Sequence, residues 1–167
     1  MTNEMTPIDW AKHPLQKYAD FSGRAPRAEY WWYTLGVIIA YVVLMVVEGI
    51  VGLDGMIFGV YGPLSLLMML ALLVPGLAVT ARRLHDTNRS GWWMLIAVVP
   101  YFIVGVLAGS AAASGSMGAL AGAGLVSLLA LVGAVVLLVF LVLPGTRGDN
   151  RYGPDPYAGD AAATVAA

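Results

Sequence analysis

The side chains best placed to do chemistry lie in one stretch, RRLHDTNRSGWW at 82–93. An imidazole, His85, stands beside a carboxylate, Asp86, with Arg82, Arg83 and Arg89 around them and Trp92 near the end. Such a pair suggests general acid–base work, but neighbouring residues on a helix point about 100° apart, so these two make no simple hydrogen-bonded dyad. No serine or further carboxylate has the spacing to complete a nucleophilic triad or a metal site. The absence of cysteine removes thiolate nucleophiles, thiolate metal sites and disulfides. The expectation is no catalytic residue, no metal and no cofactor. Arginine and tryptophan together offer a different chemistry: guanidinium groups bind phosphate bidentately, and indole rings settle at lipid-headgroup depth.

Arginine beside aromatic residues recurs twice. FSGRAPRAEYWW at 21–32 carries Arg24, Arg27, Glu29 and Trp31, and RGDNRYGPDPY at 147–157 carries Asn150, Arg151 and Tyr152. Ser22-Gly23, Ser90-Gly91 and Tyr152-Gly153-Pro154 imply defined turns, and Ser90 is placed to cap a helix starting at Trp92. The three stretches are expected to fold together into one cytoplasmic cap. That cap would meet membrane lipids, with anionic headgroups the natural ligand, or a membrane-protein partner. The plainer alternative is that basic residues simply mark the side that stays in the cytoplasm. Asn88-Arg89-Ser90 and Arg147-Gly148-Asp149 match short extracellular motifs, but on a cytoplasmic face they are chance matches.

The elements that must position these groups are apolar. With 59% hydrophobic and 11% charged residues and a mean hydropathy of +0.78, the 167-residue chain lies outside the range of soluble domains and reads as one membrane domain. Four runs are long enough to cross a hydrocarbon core of about 30 Å: 31–53, 56–81, 92–108 and 120–143. The fold class is all-α, an integral membrane four-helix bundle. Segment 1–30 is an interfacial lead-in. Ile8, Ala11, Leu15 and Tyr18 fall at helical spacing, but Pro14 interrupts them, so the segment is either a short amphipathic helix or a partly ordered polar stretch. It contains no short apolar region placed for signal cleavage. SAAASGSMG at 110–118 reads as a loop, Pro75-Gly76 predicts a kink, and 144–167 is a cytoplasmic tail with a disordered distal part.

Glu48 is the one ionisable residue inside a span, which makes it an intramembrane candidate; close to Asp54, it also has the simpler option of snorkelling to water. Gly55 with Gly59, Gly105 with Gly109 and Gly118 with Gly122 would permit close helix approach and a homo-oligomer, although twenty glycines produce such pairs by chance. All nine lysines and arginines precede the first run, follow the last, or lie in 82–93. With four spans they share one side, so both termini are expected in the cytoplasm. Three spans, with 110–143 partly re-entrant, would send Arg147 and Arg151 outside.

Tyr18, Phe21, Gly23, Arg24, Arg27, Glu29, Tyr30 and Trp31, then Arg82 to Asp86 with Ser90, Gly91 and Trp92, then Asn150 to Pro154 and Pro156, give the chain a resemblance over 10–156 to the domain of unknown function 805 family. Asn88 stands where that family commonly has glycine, and Pro26 interrupts a run that is often more polar. The resemblance implies a small multi-pass protein of the bacterial inner membrane and supplies no activity. The leading expectation is a non-enzymatic module that interacts with lipid or protein and binds no nucleic acid. A small oligomeric transporter or channel subunit built around Glu48 is the alternative. A lipid-acting enzyme using His85 and Asp86 is the third.

Overall fold

A computed structural model describes residues 5–55 and 61–158. A short helix comes first, α1 (Pro7–Gln16), followed by α2 (Arg27–Val51), α3 (Pro63–Asp86), a 3-10 turn at Gly91–Met94, α4 (Leu95–Ser114) and α5 (Met117–Val142). α2, α3, the 3-10 turn together with α4, and α5 are each long and apolar enough to span a bilayer, and no strand forms among the described residues.

Thr6 opens α1 with a capping box: its hydroxyl accepts from the Asp9 amide at 3.2 Å while the Asp9 carboxylate accepts from the Thr6 amide at 3.0 Å. Pro14 does not interrupt this helix but sits inside it, in the last turn. The N–H that Pro14 lacks would have met the Trp10 carbonyl one turn earlier, and the helix ends two residues after the proline. Trp10 and Pro14, four residues apart, form the buried face of α1.

Helix boundaries differ from the apolar runs for physical reasons. α2 begins at Arg27, immediately after Pro26 sets an extended φ of −65°, and ends where Gly52 takes the left-handed φ of 70°. The span expected at 56–81 becomes α3, which starts at Pro63; residues 56–60 lie outside the described residues. At its other end α3 runs on through RRLHD, so half of the charged island is helix rather than loop. A left-handed Asn88, φ 57°, stops it, with the Arg89 amide on the Leu84 carbonyl at 2.9 Å and the Asn88 amide on the His85 carbonyl at 2.9 Å. Asparagine is one of the few residues other than glycine that takes that conformation readily.

Ser90 does act as a cap, accepting from the Trp92 amide at 3.4 Å, but the element it caps is the 3-10 turn that leads into α4. The loop expected at 110–118 shrinks to Gly115 and Ser116. Alanine and serine carry α4 on to Ser114, Gly115 turns the chain at φ 67°, and Ser116 caps α5 by accepting from the Ala119 amide at 3.2 Å. Alanine is the strongest helix former, so weak hydropathy there was no evidence of a loop.

α4 and α5 pack along their length as a hairpin, and Gly133 of α5 lies so close to the Ile96 carbonyl that no Cβ would fit. α1 packs on α2, and α2 on α3 around a small core of Ala25, Tyr33 and Val79. The two halves meet mainly where α3 touches the 3-10 turn and the end of α5. Most large apolar side chains of α2, α4 and α5 face outward, as lipid permits.

Within α3, Pro75 has no amide to offer the carbonyl of Ala71. The Tyr18 hydroxyl, arriving from the segment after α1, donates to that carbonyl at 2.5 Å, and Tyr33 approaches the next one, Leu72, at 3.5 Å.

Candidate functional site

The charged end of α3 is not solvated. Arg82, Arg83 and Asp86 are completely buried, and Arg24 nearly so. Asp86 is the centre. Its Oδ1 accepts from Arg24 Nε at 3.0 Å, with Arg24 Nη2 at 2.9 Å, and its Oδ2 accepts from Arg83 Nη1. Two guanidinium groups on one carboxylate leave excess positive charge, which backbone carbonyls take up. Arg24 donates to Gly148 O at 2.7 Å and Thr146 O at 2.6 Å; Arg83 donates to Leu141 O at 3.0 Å, to Ala25 O at 3.4 Å and to Leu143 O. The Asp86 carbonyl in turn accepts from the Thr146 amide at 2.8 Å. Gly145 lies against the Asp86 carboxylate, where any Cβ would collide with it.

A second buried pair lies on the other side of α3. Arg82 Nη2 is 2.8 Å from Glu29 Oε1, and Glu29 Oε2 is 3.2 Å from His13 Nδ1, which ties α1 to α2 and α3. Nε and Nη1 of Arg82 meet no hydrogen-bond partner among the described residues. The backbone closes the same junction, with the Ala25 amide donating to Arg82 O at 3.0 Å.

His85 and Asp86 point to different partners. The imidazole places Nδ1 3.2 Å from Gly23 O and stacks on the Tyr152 ring, centroids 3.9 Å apart and planes within 3°. Arg151 lies over the far part of that stack, 4.7 Å from the Tyr152 centroid, and donates to Asn88 O at 3.1 Å. Asn150 donates to His85 O at 3.0 Å. Arg89 covers the Phe140 ring at 4.1 Å, against which Trp93 packs edge-on.

The sequence candidates therefore separate into two groups. Arg24, Glu29, Arg82, Arg83 and Asp86 are interior and paired; His85, Asn150 and Tyr152 are half-buried between the three stretches. Arg27, Trp31, Trp92 and Arg151 are exposed, and Arg89 is partly so. Sequence reasoning missed Gly145, Thr146 and Tyr157. Tyr157 accepts the Arg27 amide at 3.1 Å, and burial pushes its hydroxyl above the usual tyrosine pKa. Asp155 accepts from the Tyr157 amide at 2.9 Å and the Gly148 amide at 2.7 Å, contacts that hold its carboxyl below the usual range. Pro144-Gly145, directly after the last apolar run, is the signal the sequence carries for that turn.

Glu48 lies at the opposite end and does not snorkel. It is 1% exposed and accepts from the Leu64 amide at 2.6 Å, the Ser65 amide at 2.9 Å and the Ser65 hydroxyl. α3 starts at Gly62-Pro63 with no side-chain cap of its own, so the carboxylate of α2 satisfies its first amides. Gly62 leaves the room that this requires. No group of His, Asp and Glu among the described residues is arranged to hold a metal.

The family described as "Protein of unknown function (DUF805)" matches residues 18–154. The inner membrane protein YhaI of Escherichia coli (strain K12) is 37% identical over 152 residues, covering 91% of this chain and 98% of YhaI. The inner membrane protein YhaH of the same strain is 32% identical over 154 residues, covering 89% and 97%. An uncharacterized protein of that strain, YiiR, is 31% identical over 91 residues, 52% of this chain and 56% of YiiR. No solved structure matches the chain. Its four apolar helices and these relatives make it a multi-pass bacterial inner-membrane protein.

Proposed function

The chain belongs to the DUF805 family, and from that premise we propose that it is a non-enzymatic membrane module whose arginine- and tryptophan-rich end caps the bundle in the cytoplasm and associates with anionic lipid headgroups. One observation carries the reading: the basic residues are divided between two jobs. Arg24, Arg82 and Arg83 are spent on the interior ion pairs, while Arg27, Arg147 and Arg151 are exposed with Trp31, Trp32 and Trp92. Buried pairs are poor stabilisers on average but fix geometry when every donor is satisfied, as around Asp86. The exposed set has the composition of a headgroup-facing surface.

A non-enzymatic role is supported by the engagement of His85 and Asp86 in stacking and ion pairing. A channel built on Glu48 is not favoured, because its oxygens already accept backbone and hydroxyl hydrogen bonds.

Native mass spectrometry of the protein extracted with its lipids tests the reading. Retained anionic phospholipid, in preference to zwitterionic phospholipid, is expected. Equal retention of both classes would sink it.

A further inference from the structure

A cavity of about 380 Å³ opens beside the buried Asp86 cluster, between the start of α2 and the turn that follows α5. Arg27, Thr146, Arg147, Asp155 and Tyr157 supply its polar lining, and Pro144 its apolar edge. Arg147 is exposed and makes no hydrogen bond or ion pair among the described residues. Arg27 spends only Nε, on Leu143 O at 3.3 Å, which leaves its terminal amino groups free and fixes the guanidinium at the rim.

Asp155 forms no ion pair with these arginines: its two oxygens accept from the Tyr157 and Gly148 amides. Its one negative charge stands against two guanidinium groups, which leaves the lining net positive. The Tyr157 hydroxyl accepts from the Arg27 amide and keeps its proton available as a donor. Behind it, Pro26 precedes α2 and supplies no side-chain cap, so the positive end of a 25-residue helix faces the same region. Exposed Leu143 and Pro144 border the cavity side of α5, and exposed Trp31 lies one turn into α2. An anionic group bound here would sit where headgroup gives way to hydrocarbon.

We propose that this cavity is a phosphate-binding site, with Arg27 and Arg147 as its two charged donors and the Tyr157 hydroxyl as its neutral one. Its ligand is a phosphate ester, and the bordering apolar residues suit the phosphodiester of an anionic phospholipid. The assignment rests on the lipid-facing reading of this end of the molecule, and it narrows that reading from a surface to a site.

The test uses the full chain in detergent micelles, titrated with phosphatidylglycerol or phosphatidylcholine and read by native mass spectrometry. Phosphatidylglycerol binding is expected to weaken about tenfold in Arg147→Gln and in Tyr157-retaining Arg27→Lys, which keeps the charge but loses the fork. Lys17→Gln removes one positive charge from an exposed position outside the cavity and should change binding by less than about twofold. Equal losses in Arg147→Gln and Lys17→Gln would overturn the site while leaving diffuse headgroup attraction standing. No preference for phosphatidylglycerol in the unaltered protein would overturn the lipid reading itself. Displacement of the lipid by excess inorganic phosphate would assign the site to a free phosphate group; lipid binding that resists phosphate assigns it to the phospholipid.

Discussion

At the scale of residues, the chemistry of this protein is decided by what each charged group faces. Asp86 is bound by two guanidinium groups in the buried interior, and removing it would leave Arg24 and Arg83 uncompensated. Asp86→Ala is expected to cost about 3–5 kcal/mol, read as a lowered unfolding midpoint in detergent. An unchanged midpoint would mean that the cluster does not hold the fold together. The residue types of this cluster were legible in the sequence; their burial was not. An arginine in a polar stretch beside a membrane span reads the same whether it meets water, phosphate or a carboxylate from another segment. The snorkelling expected of Glu48 failed for a related reason: its distance to Asp54 along the chain was visible, whereas the uncapped start of α3 that it serves had to be recognised at Gly62-Pro63.

At the scale of elements, the long apolar runs translated into helices because length and hydropathy are sufficient signals for a span. Their ends did not, since boundaries depend on single residues such as Asn88, Gly52 and Gly115. Pro75 illustrates a coupling between elements that no local pattern contains. Tyr18→Phe should leave the Ala71 carbonyl without its donor, at a cost of about 1–3 kcal/mol, and loosen α1 from α3. Faster amide exchange across 7–18 would be the signature, and unchanged exchange would refute it. The start of α1 has its own pH dependence. The Thr6 hydroxyl, and then its amide, hold the exposed Asp9 carboxyl below the usual value of 3.8. That contribution is fully present above the unfolded value and is lost as pH falls through the lower folded one. Exchange at the first turn of α1 should therefore rise on acidification in the unaltered protein and show a much weaker acid dependence in Asp9→Asn.

At the scale of the whole molecule, the four-span reading puts every lysine and arginine at one side. Fusion of an enzymatic reporter after Ala167 should give a cytoplasmic signal; an extracytoplasmic signal would reverse the proposed orientation. The joining of the two halves near Asp86 also has a consequence for how the protein is made. Arg24 leaves the ribosome well before the carbonyls that complete its coordination, Thr146 and Gly148, which lie 122 and 124 residues later. Synthesis runs from the amino terminus, so this arginine waits through the insertion of all four helices before its last partners emerge. The junction thus closes only after the four helices have been made, and a chain cut short before Thr146 carries an open one.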